Sequence, residues 1–162
     1  HAFSAFTASV LQLRPESRGH LKLSSPNPED YPAIYPNYLA TKTDCDTIVA
    51  GIKIARAICK NNPVKALITE EYAPGSIVAE NDDDAILEWA RNTATTIYHP
   101  SGTCKMGNDK LSVVNEKLQV HGVTGLRVAD ASIMPTITSG NTNAPTIMIG
   151  EKLSDMVLRS TR

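Results

Sequence analysis

The chain has 162 residues, 41% of them hydrophobic and 20% charged, enough for the core of one ordinary domain or slightly more. A net charge of −1 supplies no basic surface for a polyanion, so no nucleic-acid partner is expected. No apolar run in the sequence approaches the roughly 18 to 20 residues that cross a bilayer as a helix.

The chain starts at His1 and reads straight into a strand-like segment with no signal peptide pattern. It is therefore expected to be a piece of a longer protein, soluble and either cytoplasmic or peripherally membrane-associated, with any targeting information upstream. Residues 3–13 (FSAFTASVLQL) predict a strand, and residues 20–24, where Leu21 and Leu23 alternate with His20, Lys22 and Ser24, predict its hairpin partner. Residues 26–36 hold four prolines and read as loop, with a short edge segment at 37–39.

The strongest helix pattern covers 42–59: Thr43 and Asp46 form a capping-box-like opening, and Ile48, Ile52, Ala55 and Ile58 recur at helical spacing. Asn61, Asn62 and Pro63 end it. Asn81 or Asp82 is expected to cap a second helix running to about Thr93, with Ile86, Leu87 and Ala90 inward and acids at its positive end. After a loop at 98–107, short strands are predicted at 112–114, 117–120 and 126–129, then an irregular stretch containing Pro135 and Gly140. A last helix is predicted from near Pro145 to about Arg159, with Ile147, Met148, Ile149 and Leu153 as its apolar set.

Two stretches carry candidate chemistry. In YHPSGTCKMG (98–107), Pro100 holds the backbone of His99 extended, so the imidazole sits on a defined loop. Histidine can accept a proton at neutral pH, although a lone histidine more often has a structural role; His1, His20 and His121 are read that way. In NTNAPTIMIGEK (141–152), Asn141, Thr142 and Asn143 precede a proline-opened helix, whose free N–H groups and positive dipole end favour negative charge. Read in isolation, Asn141 is better explained as a turn or cap residue, and Asp130, at the end of a short apolar strand, could likewise be only a turn residue. A metal site from His99, Cys104 and His121 matches no common ligand spacing, and none is expected. Three scattered cysteines (Cys45, Cys59, Cys104) suggest neither a zinc ribbon nor a disulfide framework. Spacing alone does not say that the histidine loop, the helix start and Asp130 meet.

YHPSGTCKMG, followed by VVNEKLQVHGVTGLRVADASIMPTITSGNTNAPTIMIGEKLSDMV, resembles the C-terminal part of the glucose–methanol–choline family of flavoproteins, closest to its alcohol and choline dehydrogenase branch. LRPESRGHLKLSSPNPEDYPAIYPNYL is similar to that family's substrate-domain sheet, so the resemblance covers nearly the whole chain. It implies a catalytic base at His99 and a substrate-oxygen partner at Asn141. It also implies FAD contacts at Asp130 and Ala131 (ribityl and diphosphate) and at Thr142, Asn143 and Pro145 (pyrimidine edge). The implied activity is oxidation of a small primary or secondary alcohol, choline-like or other, with hydride transfer to flavin N5. Oxygen or a quinone would be the final acceptor. The same resemblance leaves two alternatives: a hydroxynitrile lyase-type enzyme using the histidine as a base, and a binding module without chemistry.

The implied fold is α+β. Residues 1–103 would form the substrate-binding part, an antiparallel sheet with flanking helices, and 104–162 would return to complete an FAD-binding α/β domain. The family's glycine-rich dinucleotide fingerprint does not occur in this sequence, so FAD is expected only with an N-terminal FAD domain of the same protein, and the isolated chain is expected to be inactive. Without that domain the last third would expose apolar surface, which could also support a homodimer. Asn115 stands where the family commonly has Asp and is read as a turn variation.

Overall fold

The computed structural model describes residues 2–160, which form an α+β structure of three α-helices and a two-stranded antiparallel sheet. The chain divides into two compact units, one of residues 2–19 and Tyr35–Thr95, the other of His20–Ile34 and residues 96–160. Among the described residues no helix is long and apolar enough to cross a membrane.

The first unit is built on α1 (Lys42–Cys59) and α2 (Asp83–Thr93). Helix α1 has the predicted limits, but its cap is Thr41, whose hydroxyl accepts from the Asp44 amide, and not Thr43. Of the predicted inward stripe Ile52 is buried and Ile48 packs against the core, but Val49 is buried beside them and Ile58 is 59% exposed. One turn beyond Ile52 lies Arg56, whose side chain is only 9% exposed. Two 3-10 turns follow α1 (Val64–Leu67 and Gly75–Ile77), and the Arg56 guanidinium donates to Glu71 and to the carbonyls of Gly75 and Val78, which ties the second turn and the connection before it to α1. Asp82 caps α2 by accepting from the Ala85 amide, as predicted. Ile86 and Ala90 of α2 then complete the core with Val49, Ile52 and Val78.

Residues 3–13 form no strand, and the hairpin predicted between them and 20–24 is not made. The reason lies in the next four residues. Pro15 has no N–H, and the amides of Glu16 and Ser17 are taken by the buried Asp44 carboxylate at 2.9 and 2.8 Å. The Ser17 hydroxyl in turn accepts from the amides of Ala40 and Thr41. The chain is thereby latched to the start of α1 and not to a neighbouring strand. Val10 packs on α1 at Gly51, where a Cβ would come within 3.2 Å of the Val10 Cβ.

The sheet pairs β1 (His20–Lys22) with β2 (Ala33–Tyr35). Strand β2 falls inside the proline-rich stretch read as loop. Pro32 and Pro36 flank it without interrupting it, so Ala33, Ile34 and Tyr35 keep their amides for pairing. The predicted edge segment at 37–39 is a turn.

In the second unit the three strands predicted at 112–114, 117–120 and 126–129 do not form: Lys117 lies in a turn, and among the described residues only isolated bridges pair Met106 with Val114, Val114 with Val120, and Gln119 with Arg127. A tight turn prevents longer ladders. The Asn115 side-chain oxygen accepts from the amides of Lys117 (2.9 Å) and Gln119 (3.0 Å), and Leu118 adopts a left-handed backbone. Leu118 nevertheless buries its side chain with Val114, Ile133, Met134 and Ile149, the core of this unit. Helix α3 (Asn143–Ser160) contributes Ile149 to that core and packs Leu153 against it, while Ile147 and Met148 face outward at 59% and 57% exposure.

Candidate active site

The loop that carries His99 is shaped by its neighbours. Tyr98 has a left-handed backbone (φ 63°), its amide donating to the Thr96 hydroxyl, and Pro100 fixes the far side. Gly102 has φ 84°, and a Cβ there would meet the Met134 carbonyl oxygen at 3.2 Å, so the close approach suits glycine. Past the glycine the chain runs beside residues 131–133. The amides of Gly102, Cys104 and Met106 donate to the carbonyls of Ala131, Ser132 and Ile133 at 3.4, 2.9 and 2.8 Å. The alternation is that of an extended segment, with every second amide used on one neighbour.

This zipper joins the histidine loop to Asp130 and Ala131. One Asp130 carboxylate oxygen accepts from the Ser132 amide at 2.7 Å, shaping a short 3-10 turn (Ala131–Ile133), and the residue stays exposed. A second link joins the loop to α3: His99 Nδ1 lies 2.9 Å from the Thr142 hydroxyl, and Thr142 is only 8% exposed. The Thr142 carbonyl accepts from the Thr146 amide at 3.0 Å and from the Thr146 hydroxyl at 2.6 Å, so it begins the helix. Asn141, immediately before it, is exposed, as is Asn143; Pro145 is half-buried in the first turn, where its missing N–H costs no hydrogen bond.

The three stretches that spacing could not connect are thus connected by hydrogen bonds within one unit. The Thr142–His99 contact was not foreseeable. A threonine just before a helix reads as a cap, and 43 residues separate the pair. His121 points elsewhere, with Nε2 3.0 Å from the Gly107 carbonyl, and among the described residues no three His, Cys, Asp or Glu side chains converge. No acid occupies the first turn of α3, so the positive end of its dipole is uncompensated there. The two clearest surface hollows are lined by residues 45–87 and by residues 115–127, and neither includes His99 or Asn141.

These stretches lie in the part of the chain matched by the GMC oxidoreductase family, whose C-terminal model covers residues 15–150. The chain is 48% identical over 154 residues to an alcohol dehydrogenase (acceptor) of Pseudomonas putida, covering 95% of this chain and 28% of that protein. It is 45% identical over 157 residues to an oxygen-dependent choline dehydrogenase of Pseudomonas fluorescens, covering 97% of this chain and 27% of that one. Its fold superposes on an FAD-dependent oxidoreductase from Chaetomium thermophilum with a TM-score of 0.84 at 29% identity, over 93% of this chain and 26% of the other. The chain belongs to the GMC oxidoreductase family. It spans little more than a quarter of the length of these curated relatives.

Proposed function

We propose that this chain is the C-terminal part of an FAD-dependent enzyme that oxidises a small primary or secondary alcohol to an aldehyde or ketone, with His99 as the base. The observation that carries the reading is the Thr142–His99 hydrogen bond, which holds the imidazole at the start of α3, on the residue that follows Asn141 in the chain. The dehydrogenases it resembles act on alcohols or choline, and either substrate presents the hydroxyl this arrangement needs.

The residues present suit one side of the cofactor. Asp130 keeps an exposed carboxylate able to accept hydroxyl protons, and the first turn of α3 offers amides with no competing acid. The glycine-rich cradle for a dinucleotide is not in the sequence and would come from the N-terminal domain of the longer protein. Asp130 and Ala131 would hold the ribityl and diphosphate portion. Thr142, Asn143 and Pro145 would lie along the pyrimidine edge. FAD, when bound, supplies the hydride acceptor.

His99 takes the hydroxyl proton of the alcohol, and the Asn141 amide donates to the oxygen on which charge develops. That charge strengthens the carbon as a hydride donor. Residues 1–103 would belong to the substrate-binding part and 104–162 to the segment that returns to the FAD domain. The outward Ile147 and Met148 fit the same arrangement, with a homodimer contact as the competing use of that face. Oxygen or a quinone would reoxidise the flavin.

The test is anaerobic mixing of the full-length protein with a panel of small alcohols including choline, followed by visible absorbance. Bleaching of the flavin band with formation of the matching carbonyl compound supports the proposal. An oxidised flavin with every alcohol, together with release of cyanide from cyanohydrins, would replace it with lyase chemistry.

A further inference from the structure

We propose that Thr142 is the positioning residue for His99: its hydroxyl oxygen accepts the Nδ1 hydrogen, so Nε2 carries the lone pair that receives the substrate proton. The inference rests on the reading of His99 as the base.

A neutral imidazole carries one N–H, and only the other nitrogen can accept a proton. In this chain the two nitrogens have different surroundings. Nδ1 faces the Thr142 hydroxyl at 2.9 Å, and Nε2 has no hydrogen-bond partner among the described residues. Thr142 is itself held. It is 8% exposed, and its carbonyl accepts both the amide and the hydroxyl of Thr146, so its hydroxyl is mounted on a helix and not on a loop. A threonine at a helix start usually turns its hydroxyl onto an amide of the first turn. Here the hydroxyl is on the imidazole.

With Tyr98 left-handed and Pro100 next in the chain, the backbone of His99 is restrained on both sides. Rotation of the side chain is the freedom that remains, and the Thr142 bond removes it. If Thr142 donated to Nδ1, Nε2 would hold the hydrogen and could accept nothing. With Nδ1–H donating to Oγ1, the substrate O–H bond breaks, its electron pair stays on oxygen, and its proton bonds to Nε2. The imidazolium keeps the same Nδ1–H to Oγ1 bond, now charge-assisted. One hydroxyl therefore serves both protonation states without rearrangement. Because it is neutral, it orients the ring without adding a carboxylate that would trap the proton there.

The experiment uses the full-length protein with its flavin, labelled with 15N in histidine, and long-range 1H–15N correlation of His99 in its neutral form. His99 is expected to be protonated at Nδ1. Thr142→Val should shift the ring towards Nε2 protonation and lower kcat on the order of 10-fold or more, the low end of what loss of the partner behind a metal-bound histidine costs, with KM changed less than about twofold. Thr142→Ser, which keeps the hydroxyl, should restore both the tautomer and kcat. Nε2 protonation of His99 in the active wild type would overturn this inference while leaving the base reading intact. So would a Thr142→Val protein with unchanged tautomer and kcat. Near-normal turnover by His99→Ala would instead overturn the base reading itself.

Discussion

Replacing Asp44 by Asn probes the latch that holds residues 16 and 17 to helix α1. Asp44 is 2% exposed, and burial alone would push its carboxyl up; this is outweighed by the Glu16 amide, the Ser17 hydroxyl and amide, and the Gln12 side chain, which together bring it down to about 2. A carboxyl at about 2 when folded and 3.8 when released contributes about 2 kcal/mol at neutral pH, on the order of 30-fold in a local opening equilibrium. The sign follows from the depression. The contribution is complete above pH 3.8 and is lost as the pH falls towards 2. Hydrogen exchange of the peptide carrying the Glu16 and Ser17 amides reads this directly. At pH 7, Asp44→Asn should exchange there on the order of 30-fold faster than wild type, and the ratio should shrink to roughly 5-fold or less at pH 2.5. Equal protection at pH 7, or a ratio indifferent to pH, would refute the latch.

Substitutions at two further positions test the shaping of the second unit. Gly102→Ala should lower stability by about 1–3 kcal/mol, since it places a Cβ at φ 84° and 3.2 Å from the Met134 carbonyl, and should reduce turnover by displacing His99; thermal unfolding and steady-state rates measure both. Asn115→Asp should be nearly neutral because Asp keeps the oxygen that accepts the Lys117 and Gln119 amides, whereas Asn115→Ala should cost about 1–2 kcal/mol, read by the same unfolding measurement.

What was legible in the sequence is what neighbouring residues decide. Helix α1 keeps its predicted limits, and α3 begins two residues before its predicted proline, because caps, proline placement and helical spacing act over a few residues. The cap itself was missed by two positions. Thr41 and Thr43 are equally good candidates, and the choice falls to Thr41 because the Ser17 hydroxyl fixes its amide. The strand predicted at 3–13 failed for a related reason: strand formation needs a partner, and Asp44, 28 residues beyond Glu16, claims the chain first. Arg56 carried no signal in the sequence, because only the folded chain brings Glu71 and the Gly75 and Val78 carbonyls to it. At the site, the residues came from the resemblance, but their connection did not. The alternating amides of Gly102, Cys104 and Met106 and the Thr142 hydroxyl supply it, and all are long-range contacts with no local signature.

Removal of the alcohol proton by His99 is the step on which the proposed chemistry turns. The most direct measurement is the rate constant for anaerobic flavin reduction by a saturating alcohol in the full-length protein, wild type against His99→Ala, with bound flavin matched between the two. A fall of at least about 100-fold is expected in the variant, the lower bound for loss of a general base. A rate constant within a few-fold of wild type would contradict it, and the proton would then have to leave by another route.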